Sequence, residues 1–114
     1  MSLVLDGSNG TTGNLANGDL QVNGVTVGKG GGTISTNTTV GNGALPDNTS
    51  GNHNSGFGYT ALRYNTTATD NTAIGYAAQQ QTSTGGNNTS VGSQALVTNT
   101  TGGNNVALGA SALY

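Results

Sequence analysis

The chain of 114 residues contains 21 Gly and no Cys or Trp, and Gly, Asn, Thr and Ser together fill more than half of it. Its formal net charge is −2 at pH 7, from four acidic and two basic side chains. This composition argues against a helical protein, because these four residue types are poor helix formers. It also excludes a disulfide or thiolate-metal framework, and two basic side chains cannot neutralise a nucleic-acid phosphate track. No apolar run approaches the roughly 20 residues of a transmembrane helix.

The first clear element along the chain is a β-hairpin. Asn23-Gly24 is the strongest kind of two-residue hairpin turn, and alternating apolar segments flank it at 20–22 and 25–27. In this register the four apolar side chains share one face: Leu20, Val22, Val25 and Val27. Because an isolated hairpin is barely stable in water, this apolar face needs a partner.

Residues 1–36 as a whole lack the repeat found in the rest of the chain. We interpret them as an attachment segment made of an N-terminal extended arm, the hairpin and a flexible Gly-rich linker at Lys29-Gly30-Gly31-Gly32. The alternative is that the hairpin only caps the first repeat, and the sequence favours neither interpretation.

From residue 37 onward the sequence repeats every 17 residues without an insertion. An Asn column opens the units: Asn37, Asn54, Asn71, Asn88 and Asn105. A Gly column follows four residues later: Gly41, Gly58, Gly75, Gly92 and Gly109. The residues before these glycines form the apolar column: Val40, Phe57, Ile74, Val91 and Leu108. Ala always stands three residues after the Gly, and the next position forms the Leu column: Leu45, Leu62, Gln79, Leu96 and Leu113. Such a register favours a stacked repeat over a disordered chain.

A 17-residue unit is too short for a helix pair. As an extended chain at about 3.3 Å per residue, it is long enough to circle a small coil and return above its start. Adjacent coils then pair as parallel strands about 4.8 Å apart, and identical residues stack. The pattern therefore predicts an all-β parallel β-solenoid, or β-roll, of five coils over residues 37–114, the last coil being incomplete. The Asn column would form an amide ladder, with side chains that bond along the axis or hold a left-handed backbone turn. The Gly column would mark a backbone conformation or a close approach that a Cβ would forbid.

Each coil has only two large apolar positions, whose burial offsets little of the entropy cost of ordering the coil. A lone chain would therefore be marginally stable, which predicts that several copies associate around an axis. The sequence alone does not fix the number of copies. The residues predicted to form the solenoid core and the interface between copies are Val40, Leu45, Phe57, Leu62, Ile74, Val91, Leu96, Leu108 and Leu113.

Three segments of the repeat resemble the head repeat of trimeric autotransporter adhesins. They are NTAIGYAA at 71–78, NTSVGSQAL at 88–96 and NNVALGASAL at 104–113. Those heads are left-handed parallel β-rolls in which three chains pack around a common axis. The resemblance covers residues 37–114 and implies left-handed coils and a homotrimer, although the connecting turn is longer here than in the adhesins.

The same pattern also resembles the fibre and tail-fibre proteins of bacteriophages, and the opening MSLVLDGSNGTTG is similar to the start of such proteins. The sequence carries neither a secretory signal nor a membrane anchor. A surface adhesin needs both, whereas a virion protein assembled in the host cytoplasm needs neither. These features favour the phage interpretation, unless the chain is a fragment of an adhesin.

The expected function is that of a non-enzymatic virion structural protein: a short homotrimeric fibre on the tail or the capsid. It would attach to other virion proteins through residues 1–36 and project a rigid rod that contacts the host. No cofactor, metal, nucleic acid or membrane insertion is expected. Two alternatives remain: the head of a bacterial surface adhesin, and an ice-binding solenoid suggested by the recurring Thr49, Thr66 and Thr100, although Ser83 interrupts that array. The sequence also leaves open whether the native chain continues past Tyr114.

Enzyme motifs are poorly supported. Gly28-Lys29 lacks the other residues of a phosphate-binding loop. The segment GFGYTA at 56–61 fits a dinucleotide fingerprint, but the repeat already explains its Gly and Ala, and no helix former follows. His53 is the only histidine, and we expect it in an exposed turn one coil away from Asp70.

One candidate binding site remains. Tyr59 and Tyr76 stand one repeat apart, and Arg63 and Tyr64 are near them in the sequence. Stacked aromatic rings beside an Arg can bind the face of a sugar, which makes these four residues a candidate contact for a host-surface glycan. The alternative is that the tyrosines form a half-buried structural ladder.

Overall fold

The computed structural model describes residues 18–32 and 34–114. Its seven strands are β1 (Leu20–Val22), β2 (Val25–Gly28), β3 (Thr38–Val40), β4 (Ser55–Phe57), β5 (Thr72–Ile74), β6 (Thr89–Val91) and β7 (Val106–Leu108). They form one sheet in chain order, and the pairing is antiparallel from β1 to β3 and parallel from β3 to β7. The predicted all-β parallel solenoid with an N-terminal hairpin is thereby confirmed. The arm predicted at the start of the chain falls on residues 1–17, outside the described part.

The hairpin is continuous with the sheet of the solenoid. Its register is the predicted one: Leu20 with Val27, Gln21 with Thr26 and Val22 with Val25. β2 then pairs antiparallel with β3, so that Val27 lies opposite Val40. The hairpin thus satisfies the backbone groups at the edge of the first coil, which would otherwise form an open sheet edge.

The junction after the hairpin is packed against the first coil, which differs from the flexible linker expected. Gly30 and Gly31 are buried. The buried carboxylate of Asp19 accepts hydrogen bonds from the backbone N–H groups of Lys29 at 2.8 Å and Gly30 at 2.7 Å. The N–H of Gly31 donates to the carbonyl of Leu45 at 2.7 Å. The physical reason is the missing Cβ, which lets this backbone approach the first coil more closely than another residue type would allow.

Each parallel strand turns its middle residue into the coil and its two neighbours outward, as the period of two requires. The inward positions are all buried: Thr39, Gly56, Ala73, Ser90 and Ala107. Successive strands are related by 17 residues, so Val40 pairs with Phe57 and Phe57 with Ile74. Identical positions of the repeat therefore lie on top of one another along the axis.

The Leu column lies inside the coils. Leu45 and Leu62 are fully buried and Leu96 is 4% exposed, whereas Leu113 in the last coil is exposed. Gln79 occupies the same column and is also fully buried. Its side-chain amide donates to the carbonyl of Thr72 at 2.8 Å, and its Oε1 has no hydrogen-bond partner among the described residues. Gln79 thus separates the apolar core into two clusters.

Left-handed backbone at non-glycine residues makes the corners of the coils. Three columns have φ between 48° and 62°: Thr60, Ala77, Gln94 and Ser111 in the first, Leu45, Leu62, Gln79, Leu96 and Leu113 in the second, and His53, Asp70, Asn87 and Asn104 in the third. Each such residue costs roughly 1–2 kcal/mol. Hydrogen bonds to the next coil help to offset this cost, since the N–H of Leu62 donates to the carbonyl of Ala78 at 3.1 Å.

The Gly column marks a close approach between coils. Its φ angles lie between 120° and 149°, a range essentially restricted to glycine. A Cβ on Gly75 would overlap the carbonyl of Gly92, and the same overlap recurs from Gly41 to Gly92 along the column. The repeat of glycine is therefore required by both the backbone angle and the spacing of the coils.

We expect Gly75→Ala to destabilise the fold by at least about 2 kcal/mol, because it combines a disfavoured φ with a clash against a backbone carbonyl. Gly56→Ala is the matched control. Its new Cβ would meet atoms at 3.6 Å and beyond, and Ala73 and Ala107 already occupy the same column. Thermal unfolding followed by circular dichroism should show a clearly lower melting temperature for Gly75→Ala and an unchanged one for Gly56→Ala. Equal melting temperatures would contradict this account of the Gly column.

Candidate functional site

The outward face of the sheet carries a continuous row of apolar side chains, which we call the outer stripe. Its members, in sheet order, are Leu20, Val27, Val40, Phe57, Ile74, Val91 and Leu108. Phe57 is 37% exposed, Ile74 42% and Leu108 77%. At about 4.8 Å per strand, the stripe is roughly 29 Å long. The apolar column predicted as part of the core thus lies outside the coils, while the Leu column lies inside them.

A second exposed column lies two residues after the outer stripe in each coil, beyond the Gly that follows the strand. Extending the antiparallel register of β2 and β3 places Val25 opposite Asn42, and the backbone bond from Gly41 to Thr26 at 2.9 Å supports this pairing. The members of this second column are Val22, Val25, Asn42, Tyr59, Tyr76, Ser93 and Ala110. All of them are exposed. The outward side therefore carries the uniformly apolar outer stripe, the second column of mixed character and, on the other side of the stripe, the first residue of each parallel strand: Thr38, Ser55, Thr72, Thr89 and Val106.

The two tyrosines of the second column are stacked. The ring centroids of Tyr59 and Tyr76 are 5.7 Å apart and the ring planes differ by 5°. About half of each side chain remains exposed. Arg63 lies over the ring of Tyr64 at 5.5 Å. The structure thus groups the four candidate glycan-binding residues as two separate contacts, Tyr59 with Tyr76 and Arg63 with Tyr64.

The outer stripe and the second column contain no charged residue. The charged side chains in the described part of the chain are Asp19, Lys29, Asp47, Arg63 and Asp70, and extending the register of β2 and β3 places Lys29 opposite Thr38, on the other side of the stripe. A charge-free apolar surface of this length is typical of an interaction site, because soluble monomers rarely expose one.

The Asn column forms a buried ladder along the axis. The side-chain oxygen of Asn54 accepts from the backbone N–H of Asn71 at 3.1 Å, and that of Asn71 accepts from Asn88 at 3.0 Å. The Nδ2 group of Asn71 donates to the carbonyl of Gly85 at 2.9 Å. The Asn71 side chain is therefore hydrogen-bonded both to the next coil, through Asn88, and to the turn of its own coil, through Gly85.

Further axial bonds run along other columns that sequence reasoning did not single out as ladders. The Nδ2 group of Asn65 donates to the side-chain oxygen of Asn48 at 3.1 Å. The hydroxyl of Thr49 donates to the carbonyl of Thr66 at 3.0 Å, and the hydroxyl of Thr66 to that of Ser83 at 3.2 Å. The 17-residue spacing of these residues could have indicated the axial bonds in the sequence. Substitutions such as Thr82 in the column of Asn48 make that periodicity harder to recognise.

His53 and Asp70 lie on adjacent coils, as the column alignment indicates. The His53 Nδ1 atom is 3.2 Å from the Asp70 Oδ1 atom, and both side chains are about half exposed. Across residues 18–32 and 34–114, no group of three or more His, Asp or Glu side chains is arranged to hold a metal ion. The pair is thus a surface contact between two turns.

Comparisons with protein-family models, with curated proteins and with solved structures found no match to this chain. In the part of the chain that the structure describes, no helix has the length and apolar character needed to cross a membrane. What the molecule does must therefore be argued from its surfaces.

We expect Asn71→Ala to destabilise the fold by about 2–4 kcal/mol, because it leaves the N–H of Asn88 and the carbonyl of Gly85 without their partners. Asn42→Ala is the control, since Asn42 is exposed and belongs to a different column. Chemical denaturation should show a lower free energy of unfolding for Asn71→Ala and an unchanged one for Asn42→Ala. A similarly small effect of both variants would show that the Asn ladder contributes little to the free energy of unfolding.

Proposed function

We propose that this protein is a non-enzymatic structural protein of a phage virion, a short trimeric fibre on the tail or the capsid. The observation that carries the proposal is the outer stripe, an uncharged row of partly or largely exposed apolar side chains along the outward side of the solenoid. The virion as its place, the left-handed coil and the number of three chains rest on the resemblances of the repeat to adhesin heads and phage fibres.

The outer stripe favours association with copies of the same chain. Its members lie at regular intervals along one sheet face, so a parallel copy presents an apolar side chain at every level. Association around a common axis covers the stripe of each chain without leaving one free, and it forms a closed assembly. Burying several large apolar side chains per chain is a sufficient driving force.

The hairpin supports a role for the N-terminal segment at the base of such a fibre. It closes the edge of the first coil and continues the outer stripe through Val27 and Leu20. We propose that residues 1–36 join the fibre to other virion proteins and that the coils project away from them. A host-surface glycan is the proposed partner of the projecting part.

The experiment that tests the virion role is labelling of purified phage particles with antibodies raised against the full chain, viewed by electron microscopy. Label on tail or capsid fibres is the expected result. Label on the surface of uninfected bacteria, with none on particles, would instead establish the alternative of an adhesin head.

We expect the wild-type chain to behave in solution as a particle of three times its mass of 11.1 kDa. Ile74→Lys should weaken association at least about a hundredfold, because it removes a large apolar side chain and would place one ammonium group per chain at the interface. Gln81→Lys adds the same charge at an exposed position outside both columns. Light scattering after size-exclusion chromatography measures both variants, and a monomeric wild-type chain would contradict the proposal.

A further inference from the structure

The turns between coils contain a carbonyl group that accepts hydrogen bonds from two side-chain amides. In the first coil, the Gly51 carbonyl accepts from the Nδ2 groups of Asn37 and Asn48, both at 2.9 Å. The equivalent carbonyls of Ala68 and Gly102 also accept two such bonds each, at 2.8–3.3 Å. One donor of each pair belongs to the Asn column, and the other belongs to the column of Asn48.

The third coil departs from this arrangement, because Thr82 occupies the column of Asn48. The Gly85 carbonyl at this turn accepts one side-chain bond, from the Nδ2 group of Asn71 at 2.9 Å. The second coil is affected as well. Asn65 donates its Nδ2 group to the Asn48 side-chain oxygen at 3.1 Å, but no amide of residue 82 donates to the Asn65 oxygen. One missing amide group thus leaves two acceptors short of one donor each.

The atoms concerned are enclosed by the protein. Asn65 and Thr82 are each 0% exposed, and Gly85 is buried. Neither the Asn65 Oδ1 atom nor the Thr82 Oγ1 atom has a hydrogen-bond partner among the described residues. Buried polar atoms in folded proteins are nearly always paired, either with the protein or with an ordered water. A Thr side chain also ends one bond short of the place where Asn puts its amide nitrogen.

We propose that the third coil binds one buried water molecule, at the position that an amide nitrogen of residue 82 would occupy. The water donates its two hydrogens to the Asn65 Oδ1 atom and to the Gly85 carbonyl, and it accepts the hydrogen of the Thr82 hydroxyl. Its two donations repeat those that the Nδ2 group of Asn65 makes one coil earlier, to Asn48 and Ala68. About three bonds are typical of a buried water.

Water suits this site better than a metal ion does. The three oxygen atoms assigned to it are neutral, and burying a charge without a countercharge is costly. Within the described part of the chain, no cluster of three acidic or His side chains is placed to coordinate a metal. The site does not involve the outer stripe, so this inference is independent of the proposed association of copies and of the virion role.

Thr82→Val tests whether the hydroxyl has a partner, because it keeps the branched shape and removes the oxygen. A hydroxyl that is buried without a partner destabilises the fold, so its removal would be stabilising. We expect the opposite result, a loss of about fivefold in the equilibrium constant of folding, because the water loses one of its three partners.

Thr82→Asn supplies the amide itself and displaces the water. We expect the equilibrium constant of folding to rise about tenfold, because both bonds are then made directly and the water returns to the solvent. Thr84→Asn is the matched control, since it makes the same exchange at an exposed position of the same turn, and it should leave the constant unchanged. Chemical denaturation at one protein concentration measures all three variants.

A high-resolution crystal structure of the full chain shows the water directly. Solvent density within hydrogen-bond distance of the Asn65, Thr82 and Gly85 oxygens, replaced by the new amide in Thr82→Asn, supports the inference. Absent density, or a Thr82→Val variant at least as stable as the wild type, overturns it. A less stable Thr82→Asn variant also overturns it, because the column then has no room for an amide. Stability that falls when a chelator removes metal ions would identify a cation in place of the water.

Discussion

The equal length of every coil is the constraint on which the rest of this structure depends. Each coil is bound to the next by backbone bonds such as Gly75 N–H to Phe57 carbonyl at 2.8 Å, and by side-chain bonds between residues 17 apart, as in the Asn column. One inserted residue would move every later donor of its coil away from its acceptor and would turn inward residues outward. The absence of insertions in the repeat is thus a physical requirement of the axial hydrogen bonds.

Periodicity allowed the solenoid, its pairing and the hairpin register to be predicted from the sequence, because stacking follows directly from spacing. It did not predict which apolar column lies inside, since both columns are equally regular. The deciding factor is the left-handed backbone at Leu45, Leu62 and Leu96, which turns these side chains inward and for which local preference gives no signal. Periodicity also did not predict that Gly30 packs on the first coil. A run of glycines occurs both in flexible linkers and where backbones pack closely, so the sequence does not distinguish the two.

The same corners explain why the molecule presents an apolar surface. Beside the buried Asn column and the small middle residues of the strands, a coil of this size encloses one row of leucines and one row of alanines. Its apolar core is thin enough for one buried Gln79 to divide it. The remaining large side chains, such as Ile74, must then point outward from the sheet. Strained corners and a small interior leave the chain with little apolar burial of its own to offset the entropy cost of ordering it.

A periodic molecule has a particular difficulty with specificity, since the features that stabilise its stacking are identical at every level. Within one chain this does no harm, because chain connectivity decides which coil lies on which. One coil can be told from the next only at positions that break the repeat, such as the stacked Tyr59 and Tyr76 on the surface and the buried Gln79 in the Leu column. The departures from the consensus therefore distinguish the levels of the solenoid, while the consensus itself supplies the axial hydrogen bonds that stabilise it.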